Sequence, residues 1–333
     1  MEQQSLFSDL NFDDKTNGMY DVILVDGSHL LHRSAHAYTL GVLKDEKYIP
    51  TGAVYGFLKI LQTMRGRYAD SPCKIIFCWE GGYRHRLAMY PNYKANRRVR
   101  TVVKDVDQQI VKDTFKSEFA QQKELLDYFL SISGWDNCRV DGYEADDVLA
   151  SLAKKYDDGK TRIAIYSGDG DLHQCATENV HIISAGSGRK RDTIYKYDDV
   201  VKKWGVIPTR IPLIKALSGD KSDDIPGCKG CGLGWATKIL NTYDNLDDIF
   251  EHIEGGGVLV GAYKGKNWKA KTISGNLHHC KDDVYVSEQL AYVIDTLECD
   301  VQKATLNIKA IGDFFRDYEF HSFILEDFLV MGK

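Results

Sequence analysis

Acidic residues gather in a few short motifs of this chain, and these carboxylates are the groups best suited to carry chemistry. Several follow apolar runs, as in YDVILVDG at 20 to 27 and RIAIYSGDGD at 162 to 171. The candidates are Asp26, Glu80, Glu144, Asp146, Asp147, Asp169, Asp171, Asp220 and Asp223. Close like charges raise one another's pKa values unless cations neutralise them. Such oxygen ligands suit Mg²⁺ or Mn²⁺, and two ions about 4 Å apart can promote phosphodiester hydrolysis.

Each acidic motif also has a simpler explanation. The acids at 144 to 147 could favour a helix N-terminus through its dipole. Asp26 and the DGD tripeptide at 169 to 171 could be turn residues beside glycine. Recurrence favours a shared site, because acids follow successive predicted strands that hold almost none within them.

The elements that would position these acids alternate between strands and helices. Apolar runs predict strands at 20–27, 73–79, 138–140, 162–171 and 180–184. Helical spacing predicts helices at 51–69, 106–132 and 144–156. This alternation predicts a doubly wound, mostly parallel α/β fold, in which sites form beyond the carboxyl ends of the strands. The acids therefore fall at one edge of the predicted sheet.

Length and composition favour a globular protein, with 333 residues of which 43% are hydrophobic. No apolar run approaches the roughly 18 to 20 residues of a membrane span, and the N-terminus lacks a signal-peptide pattern. We therefore expect a cytoplasmic protein with reduced thiols and no membrane partner. Cys228 and Cys231 form a CxxC pair without a second pair at zinc-finger spacing, so we interpret them as small buried hydrophobic residues.

Positive charge is concentrated although the net charge is −5. A negative total argues against a strongly basic nucleic-acid binder. The stretch RHRLAMYPNYKANRRVR at 84 to 100, however, contains six Lys or Arg residues, no acid and two tyrosines. It could be a solvated face. It could also bind phosphates while separate acids bind metal.

Five motifs resemble, in order, those of the 5′ nuclease family. They are VDG at 25–27, YPNYKANR at 90–97, GYEADDVLASLA at 142–153, SGDGDLHQ at 167–174 and SGDKSDDIPG at 218–227. The family includes the N-terminal domain of bacterial DNA polymerase I, stand-alone bacteriophage 5′ nucleases and eukaryotic flap endonucleases. Because no polymerase domain follows, the length favours a stand-alone, phage-type enzyme with a PIN-like fold.

The resemblance assigns the acids to two divalent ions, Mg²⁺ or Mn²⁺. Ligands or supporting acids of the first ion would be Asp26, Glu144, Asp146 and Asp147. Asp169 and Asp171 would bridge toward the second ion, which Asp220 and Asp223 complete. Glu80 departs from the pattern, since the family usually has Asp after this strand. Either its longer side chain reaches the same place or the register has slipped by one residue.

The motif YPNYKANR occupies the place of the family's helical arch, through which a free 5′ strand is thought to pass. Lys94 and Arg97 match its basic pair and would stabilise charge that grows on the scissile phosphate. Arg84 and Arg86 would add contacts to nucleic acid, and Tyr93 would offer a face for base stacking.

A glycine-rich turn, GCKGCGLG at 227–234, lies between predicted short helices. It resembles the family's helix-turn-helix-like element, which grips duplex phosphates around a monovalent cation such as K⁺. Glycines let the backbone approach phosphate closely. Candidate contacts are Lys229, Gly230, Gly232 and Lys238, with the run YKGKNWKAK at 263 to 271.

These features predict four parts of a monomeric protein. A polar, flexible tail at 1–18 precedes an α/β nuclease core at 19–204 that includes the arch at 81–112. The core is followed by a helical duplex-binding subdomain at 205–295 and by a C-terminal segment at 296–333 that packs on the core.

The tail holds a second, shorter resemblance. Gln3, Leu6 and Phe7 within QQSLF are similar to the peptide by which bacterial replication proteins dock on their sliding clamp. Two adjacent apolar anchors in a polar tail suit a preformed hydrophobic groove. They could equally pack on the protein's own domain.

The resemblance implies a 5′→3′ exonuclease and flap endonuclease that acts on branched or nicked DNA, with RNA–DNA hybrid as a further substrate through RNase H activity. Its setting would be replication or repair in a bacterium or a phage-infected cell. A PIN-like ribonuclease is one alternative, but it would lack Asp220, Asp223 and the glycine turn. A non-enzymatic binder of branched DNA is another, but it would be expected to have lost acids, and only Glu80 deviates.

Overall fold

A computed structural model describes residues 19–38, 40–44, 46–99, 106–186, 191–323, 325 and 328. The tail at 1–18, with the candidate clamp residues Gln3, Leu6 and Phe7, lies outside the described residues. Within the described ranges, no helix is both long enough and apolar enough to cross a membrane.

A seven-stranded sheet forms the centre of the N-terminal half. Its strands are β1 (Tyr20–Asp26), β4 (Ala69–Trp79), β5 (Asp136–Arg139), β6 (Ile163–Tyr166), β7 (Val180–Ser184), β8 (Thr193–Tyr195) and β11 (Gln302–Lys303). The spatial order is β11-β5-β4-β1-β6-β7-β8, with five parallel inner strands and two antiparallel edge strands. A small hairpin of β2 (Gly41–Lys44) and β3 (Lys47–Pro50) lies apart from this sheet.

Helices cover both faces of the sheet, because alternate side chains of each strand point to opposite sides. They are α1 (Gly27–Ala37), α2 (Gly52–Tyr68), α5 (Val106–Ser133), α6 (Ala145–Tyr156), α7 (Tyr197–Trp204) and α13 (Ile308–Asp317). Two short helices, α3 (Arg84–Met89) and α4 (Ala95–Val99), lie between β4 and α5 in the chain. In β1, Ile23 and Val25 pack in a core with α1, α2, α5 and α13. Val22 and Leu24 pack in a second core with α6 and α7. The predicted doubly wound α/β class is confirmed.

A separate apolar core organises residues 206 to 284. Around it lie α8 (Ile211–Ser218), α9 (Leu233–Leu240), α10 (Leu246–Glu254), α11 (Lys271–His279) and α12 (Lys281–Ala291). A hairpin of β9 (Val260–Tyr263) and β10 (Lys266–Lys269) packs beside α9. The short helices were predicted, but this hairpin was not.

The strand predicted at 162–171 is shorter than expected. β6 ends at Tyr166, and the chain leaves the sheet after Ser167, whose N–H still donates to the Ile183 carbonyl of β7 at 3.1 Å. The Asp169 carboxylate accepts a hydrogen bond from the Asp171 N–H at 2.9 Å, a local turn that competes with strand pairing. A 3₁₀ helix at Asp171–Cys175 follows, so both acids lie beyond the strand end.

Candidate metal and nucleic-acid site

Asp26 ends β1 and caps the N-terminus of α1. One carboxylate oxygen accepts a hydrogen bond from the His29 N–H, and the other accepts one from the Ser167 hydroxyl, each at 2.9 Å. Burial raises the pKa of Asp26, which these bonds only partly offset. The junction between β1 and α1 thereby holds one carboxylate at the carboxyl edge of the sheet.

Asp146 lies in the first turn of α6 at the same edge. Among the described residues, none donates a hydrogen bond to its carboxylate. Burial raises its pKa well above the ordinary range, and the negative charges of Asp169 and Asp26 raise it further. A positive charge beside Asp146 would therefore favour its ionised form.

Glu80 follows β4 and reaches the same place. Its backbone N–H donates to the Ser28 hydroxyl at 3.0 Å, and its carboxylate accepts from the Ala145 N–H at 3.4 Å. Partial burial raises the pKa of Glu80, and the charge of Glu144 adds to this. Glu80 thus shares a groove of about 1290 Å³ with other candidates. Those lining the groove are Asp26, Glu80, Glu144, Asp146, Asp169, Lys94 and Arg97.

Glu144 immediately precedes α6 and binds three residues of the basic stretch, one of which is Arg86, whose guanidinium lies 2.9 Å from a Glu144 oxygen. The Lys94 ammonium contacts one carboxylate oxygen closely, and the Tyr93 hydroxyl donates to the other at 2.8 Å. The Lys94 nitrogen also lies 3.6 Å from an oxygen of Asp223. Burial lowers the pKa of Lys94, but the charges of Glu144 and Asp223 outweigh it and raise the pKa above its usual value. Lys94 is therefore a buried, fixed positive charge.

The basic motif docks on the loop that holds Asp223. The Arg97 guanidinium donates to the Asp223 carboxylate at 2.7 Å, and the Lys94 N–H donates to the Asp223 carbonyl at 3.0 Å. The Asn96 N–H donates to the Asp224 carboxylate at 2.8 Å. The Arg97 side chain is still 56% exposed, so its outer face can meet a ligand in the groove.

Asp171 and Asp220 form a second acidic group around Lys215, a residue that the sequence analysis missed. The Lys215 ammonium contacts Asp171 closely and lies 2.6 Å from an oxygen of Asp220. Burial raises the pKa of Asp171 to about 6. Burial also acts to raise that of Asp220, but hydrogen bonds from Lys215 and Ser222 outweigh it and lower that pKa. The available signal was a lone lysine in the apolar helix IPLIKALS, just before the acidic motif.

Two glycines fix the loop that carries Asp220 and Asp223. Gly219 has φ +70° and Gly227 has φ +60°, both in the left-handed region. A Cβ on Gly227 would lie 2.1 Å from the backbone nitrogen of Gly219, so only glycine permits this approach. We name residues 218–227 the pinned loop.

Asp147 is predicted to be a ligand or a supporting acid of the first ion, and its contacts fit the supporting role. Both of its oxygens accept from the Arg86 guanidinium, at 2.7 and 2.8 Å. They also accept from the Glu144 N–H at 3.2 Å and the Ile294 N–H at 3.0 Å. Asp147 is completely buried, so it supports the start of α6 instead of facing the groove.

The burial of Arg86 and Tyr93 does not fit the nucleic-acid roles predicted for them. Arg86 is 4% exposed and donates to the carbonyls of Leu290 and Tyr292 as well as to Asp147. Tyr93 is 2% exposed, with the Lys94 ammonium 5.0 Å from its ring centre. Neither side chain can reach a base or a phosphate. Arg84, by contrast, is exposed and pairs with Asp141.

Within the ranges that the structure describes, no three His, Cys, Asp or Glu side chains form a ready group for a metal ion. Cationic side chains bind five of the nine acids instead: Glu144, Asp147, Asp171, Asp220 and Asp223. The donor set itself consists of hard carboxylate oxygens around a solvent-open groove, which fits Mg²⁺ or Mn²⁺.

The glycine turn lies between the pinned loop and α9. Lys229 and Gly230 are exposed, and Gly230 has φ +85°. Gly232 is exposed directly before α9, and the Lys238 ammonium lies 4.5 Å from the ring centre of Trp235. Cys228 and Cys231 are buried in the apolar core of this region.

Comparisons with known proteins agree with this arrangement. Residues 21–205 match the family described as 5′-3′ exonuclease, N-terminal resolvase-like domain, and residues 206–313 match 5′-3′ exonuclease, C-terminal SAM fold. The chain is 30% identical to the 5′-3′ exonuclease of Aquifex aeolicus (strain VF5), over 87% of this chain and 88% of that protein. It is 29% identical to DNA polymerase I of Bacillus subtilis (strain 168), over 91% of this chain but only 32% of the polymerase.

A solved structure shares the fold. It is a pseudo-enzyme-product complex of the bacteriophage T5 flap endonuclease with DNA and metal ions. The TM-score is 0.61 at 20% identity, covering 93% of this chain and 98% of that chain. The matched domains and the 30% identical relative show that the chain belongs to the 5′-3′ exonuclease family.

Proposed function

We propose that this protein hydrolyses phosphodiester bonds near free 5′ ends of flap, nicked or RNA-primed DNA, with two divalent cations. The observation that supports it most directly is the Asp146 carboxylate, which has no hydrogen-bond donor among the described residues and lies beside Asp26 and Asp169. Burial and mutual repulsion destabilise the ionised forms of these carboxylates, and a bound cation would offset both effects.

The carboxylates that fit the first ion are four of the five that line the groove, namely Asp26, Glu80, Asp146 and Asp169. The fifth, Glu144, is paired with Lys94 and Arg86. Asp171, Asp220 and Asp223 fit the second. Divalent ions bound there would lower the pKa of the attacking water and neutralise charge on the leaving oxygen. Before an ion binds, Lys215 would hold the second acidic group together, because its ammonium balances the negative charges of Asp171 and Asp220.

The protein's own cations complete the proposed mechanism. Lys94 places a fixed positive charge at the groove wall, where it can stabilise negative charge that grows on the phosphate. Arg97 presents a half-exposed guanidinium that can donate two parallel hydrogen bonds to phosphate oxygens. Both residues belong to the proposed arch at 81–112.

Duplex binding is proposed at the glycine turn. The exposed Lys229 and the glycines at 230 and 232 leave the backbone open to phosphate, and carbonyls of the turn could hold K⁺. The proposed parts remain a nuclease core at 19–204 and a duplex-binding subdomain at 205–295. We further propose that the enzyme acts as a monomer in the cytoplasm, during replication or repair.

Substrate preference tests this function directly. In Mg²⁺, a labelled 5′ flap should be cut near its junction, whereas a 3′ flap of the same sequence should stay intact. Chelation with EDTA should stop cleavage. Cleavage rates on nicked DNA and on RNA–DNA hybrid would show how exonuclease and RNase H activity compare with flap cleavage. Equal cutting of unstructured RNA would instead indicate a PIN-like ribonuclease, and tight flap binding without cutting would indicate a branched-DNA binder.

The tail carries a separate proposal, that Gln3, Leu6 and Phe7 dock on a sliding clamp. Tethering would raise the local concentration of the enzyme without altering its chemistry. Removal of residues 1 to 15 should leave cleavage of a short flap intact and abolish clamp binding in calorimetry, as should Leu6→Ala with Phe7→Ala. Wild-type protein that shows no clamp binding at tens of micromolar would end this proposal.

A further inference from the structure

A basic hairpin lies beside the glycine turn and is not used by the proposed mechanism. We define the basic hairpin as residues 260–271, which comprise β9, the connecting turn, β10 and the first residue of α11. It contains four lysines and no acid. Those lysines, Lys264, Lys266, Lys269 and Lys271, are all exposed. Lys264 at φ +50° and Gly265 at φ +73° form its tip.

Aromatic packing fixes the inner face of the hairpin against α9. The rings of Trp268 and Trp235 meet edge to face with centres 5.9 Å apart, and Trp235 lies in the first turn of α9. Opposite Trp268 in the ladder is Gly261, where a Cβ would lie 2.5 Å from the Thr242 hydroxyl. The hairpin is therefore held closely along α9, from its first turn to the residues just beyond its C-terminal end.

The next helix connects the hairpin to the turn itself. The Asn276 amide, in α11, donates to the Lys229 carbonyl at 2.8 Å. Residues 227 to 238 contain Lys229 and Lys238 but no acid. Six lysines consequently flank one surface of a protein whose net charge is −5. Asp244, near the base of the hairpin, lies 3.9 Å from Arg210, which offsets its charge.

The chemistry of this surface favours the backbone of a duplex over a single strand. Single-strand sites combine positive charge with exposed aromatic faces for base stacking. Here Trp268 and Tyr263 lie on the inner face with Gly261 and Lys266, while Val260, Ala262, Asn267 and Lys269 form the outer face. The exposed lysines extend from the tip, Lys264, from the outer face, Lys269, and from the strand opposite Tyr263, Lys266. Exposed ammonium groups of this kind suit phosphates, which they contact as point charges without reading sequence.

We propose that the basic hairpin is a second phosphate contact for duplex DNA, which extends the bound region beyond the glycine turn. This inference rests on the proposed function, since it needs a duplex seated at that turn. It predicts that the hairpin contributes affinity and salt dependence, while the catalytic step depends on the groove.

The test uses the full-length triple variant Lys264→Ala, Lys266→Ala and Lys269→Ala. In EDTA, which prevents cleavage, fluorescence anisotropy should show about tenfold or greater weakening of Kd for flap DNA with a long duplex arm near 0.1 M salt. The slope of log K against log salt should fall by about 2 to 3, because each lost phosphate contact accounts for about 0.9. Shortening the duplex arm should weaken wild type and leave the variant unchanged.

Two controls separate this contact from general charge effects. The matched variant Lys155→Ala, Lys160→Ala and Lys309→Ala removes the same charge from exposed positions on the α/β core and should bind like wild type. At saturating enzyme in Mg²⁺, the hairpin variant should cut at the wild-type rate. An unchanged Kd and salt slope, or an equal loss in the matched variant, would overturn the inference while leaving flap cleavage in place. If the wild-type protein itself does not cut flaps, that result would instead contradict the proposed function.

Discussion

Asp146→Asn should reduce the single-turnover rate of flap cleavage by at least about 10³-fold while leaving the Kd for flap DNA within a few-fold. The substitution keeps the shape of the side chain and removes its negative charge. Asp146 has no described donor that an amide would disturb, so the loss would come from the cation that its carboxylate attracts. Phosphate contacts elsewhere would remain.

A matched change supports the interpretation of this result. Asp282→Asn alters the same charge at an exposed position of α12 and should leave cleavage unchanged. Calorimetric titration with Mn²⁺ provides a second measurement, in which Asp146→Asn should bind more weakly than wild type and Asp282→Asn should not. Retention of more than a tenth of the wild-type rate would contradict the role of Asp146.

Lys94→Ala should lower the saturated cleavage rate by about 10²-fold or more, the size of one lost preorganised electrostatic contact. Affinity for flap DNA should change much less, because Lys94 is almost completely buried and offers little surface for initial binding. Removing the charge also leaves Glu144 and Asp223 without their shared cation. The variant should therefore unfold at a lower denaturant concentration than wild type.

Lys94→Met separates the charge from the volume of the side chain. It should reproduce the rate loss, whereas Arg97→Ala, at an exposed position, should raise Kd more than it lowers the saturated rate. If Lys94→Ala changes only Kd, the residue steers the substrate and does not stabilise the reacting phosphate. Rates should be measured well below the melting temperature of each variant.

The sheet and its acidic edge were predictable because the signals are local. Each apolar run that ends in an acid, such as VILVD before Gly27, combines a buried strand with a polar turn in adjacent residues. Parallel strands bring their carboxyl ends to one edge, so Asp26, Glu80 and Asp146 could be placed together without knowledge of contacts.

Pairings between distant residues were not predictable. Arg86 looks like part of a basic surface, but its partner Asp147 is 61 positions away, and only the fold shows that the pair is buried. The role of Lys215 likewise depends on its contact with Asp171, which is 44 positions away in the chain.

The basic run at 263 to 271 was a candidate for duplex contact, but its two strands were not predicted, for another reason. Its strands are four residues each, with lysine and glycine among them, so hydrophobic alternation is weak. Its place depends on the Trp235–Trp268 contact, which joins separate segments of the chain. Tertiary packing therefore outweighs local propensity here.

The pinned loop has a geometric consequence for the proposed nuclease. It holds Asp220 and Asp223, and at Gly227 it continues directly into the glycine turn. The close approach of Gly219 and Gly227 prevents this stretch from lengthening. A duplex gripped at the turn would then sit at a constant offset from the reacting carboxylates. The fixed distance from the gripped phosphates, and not the base sequence, would therefore set the position of the cut.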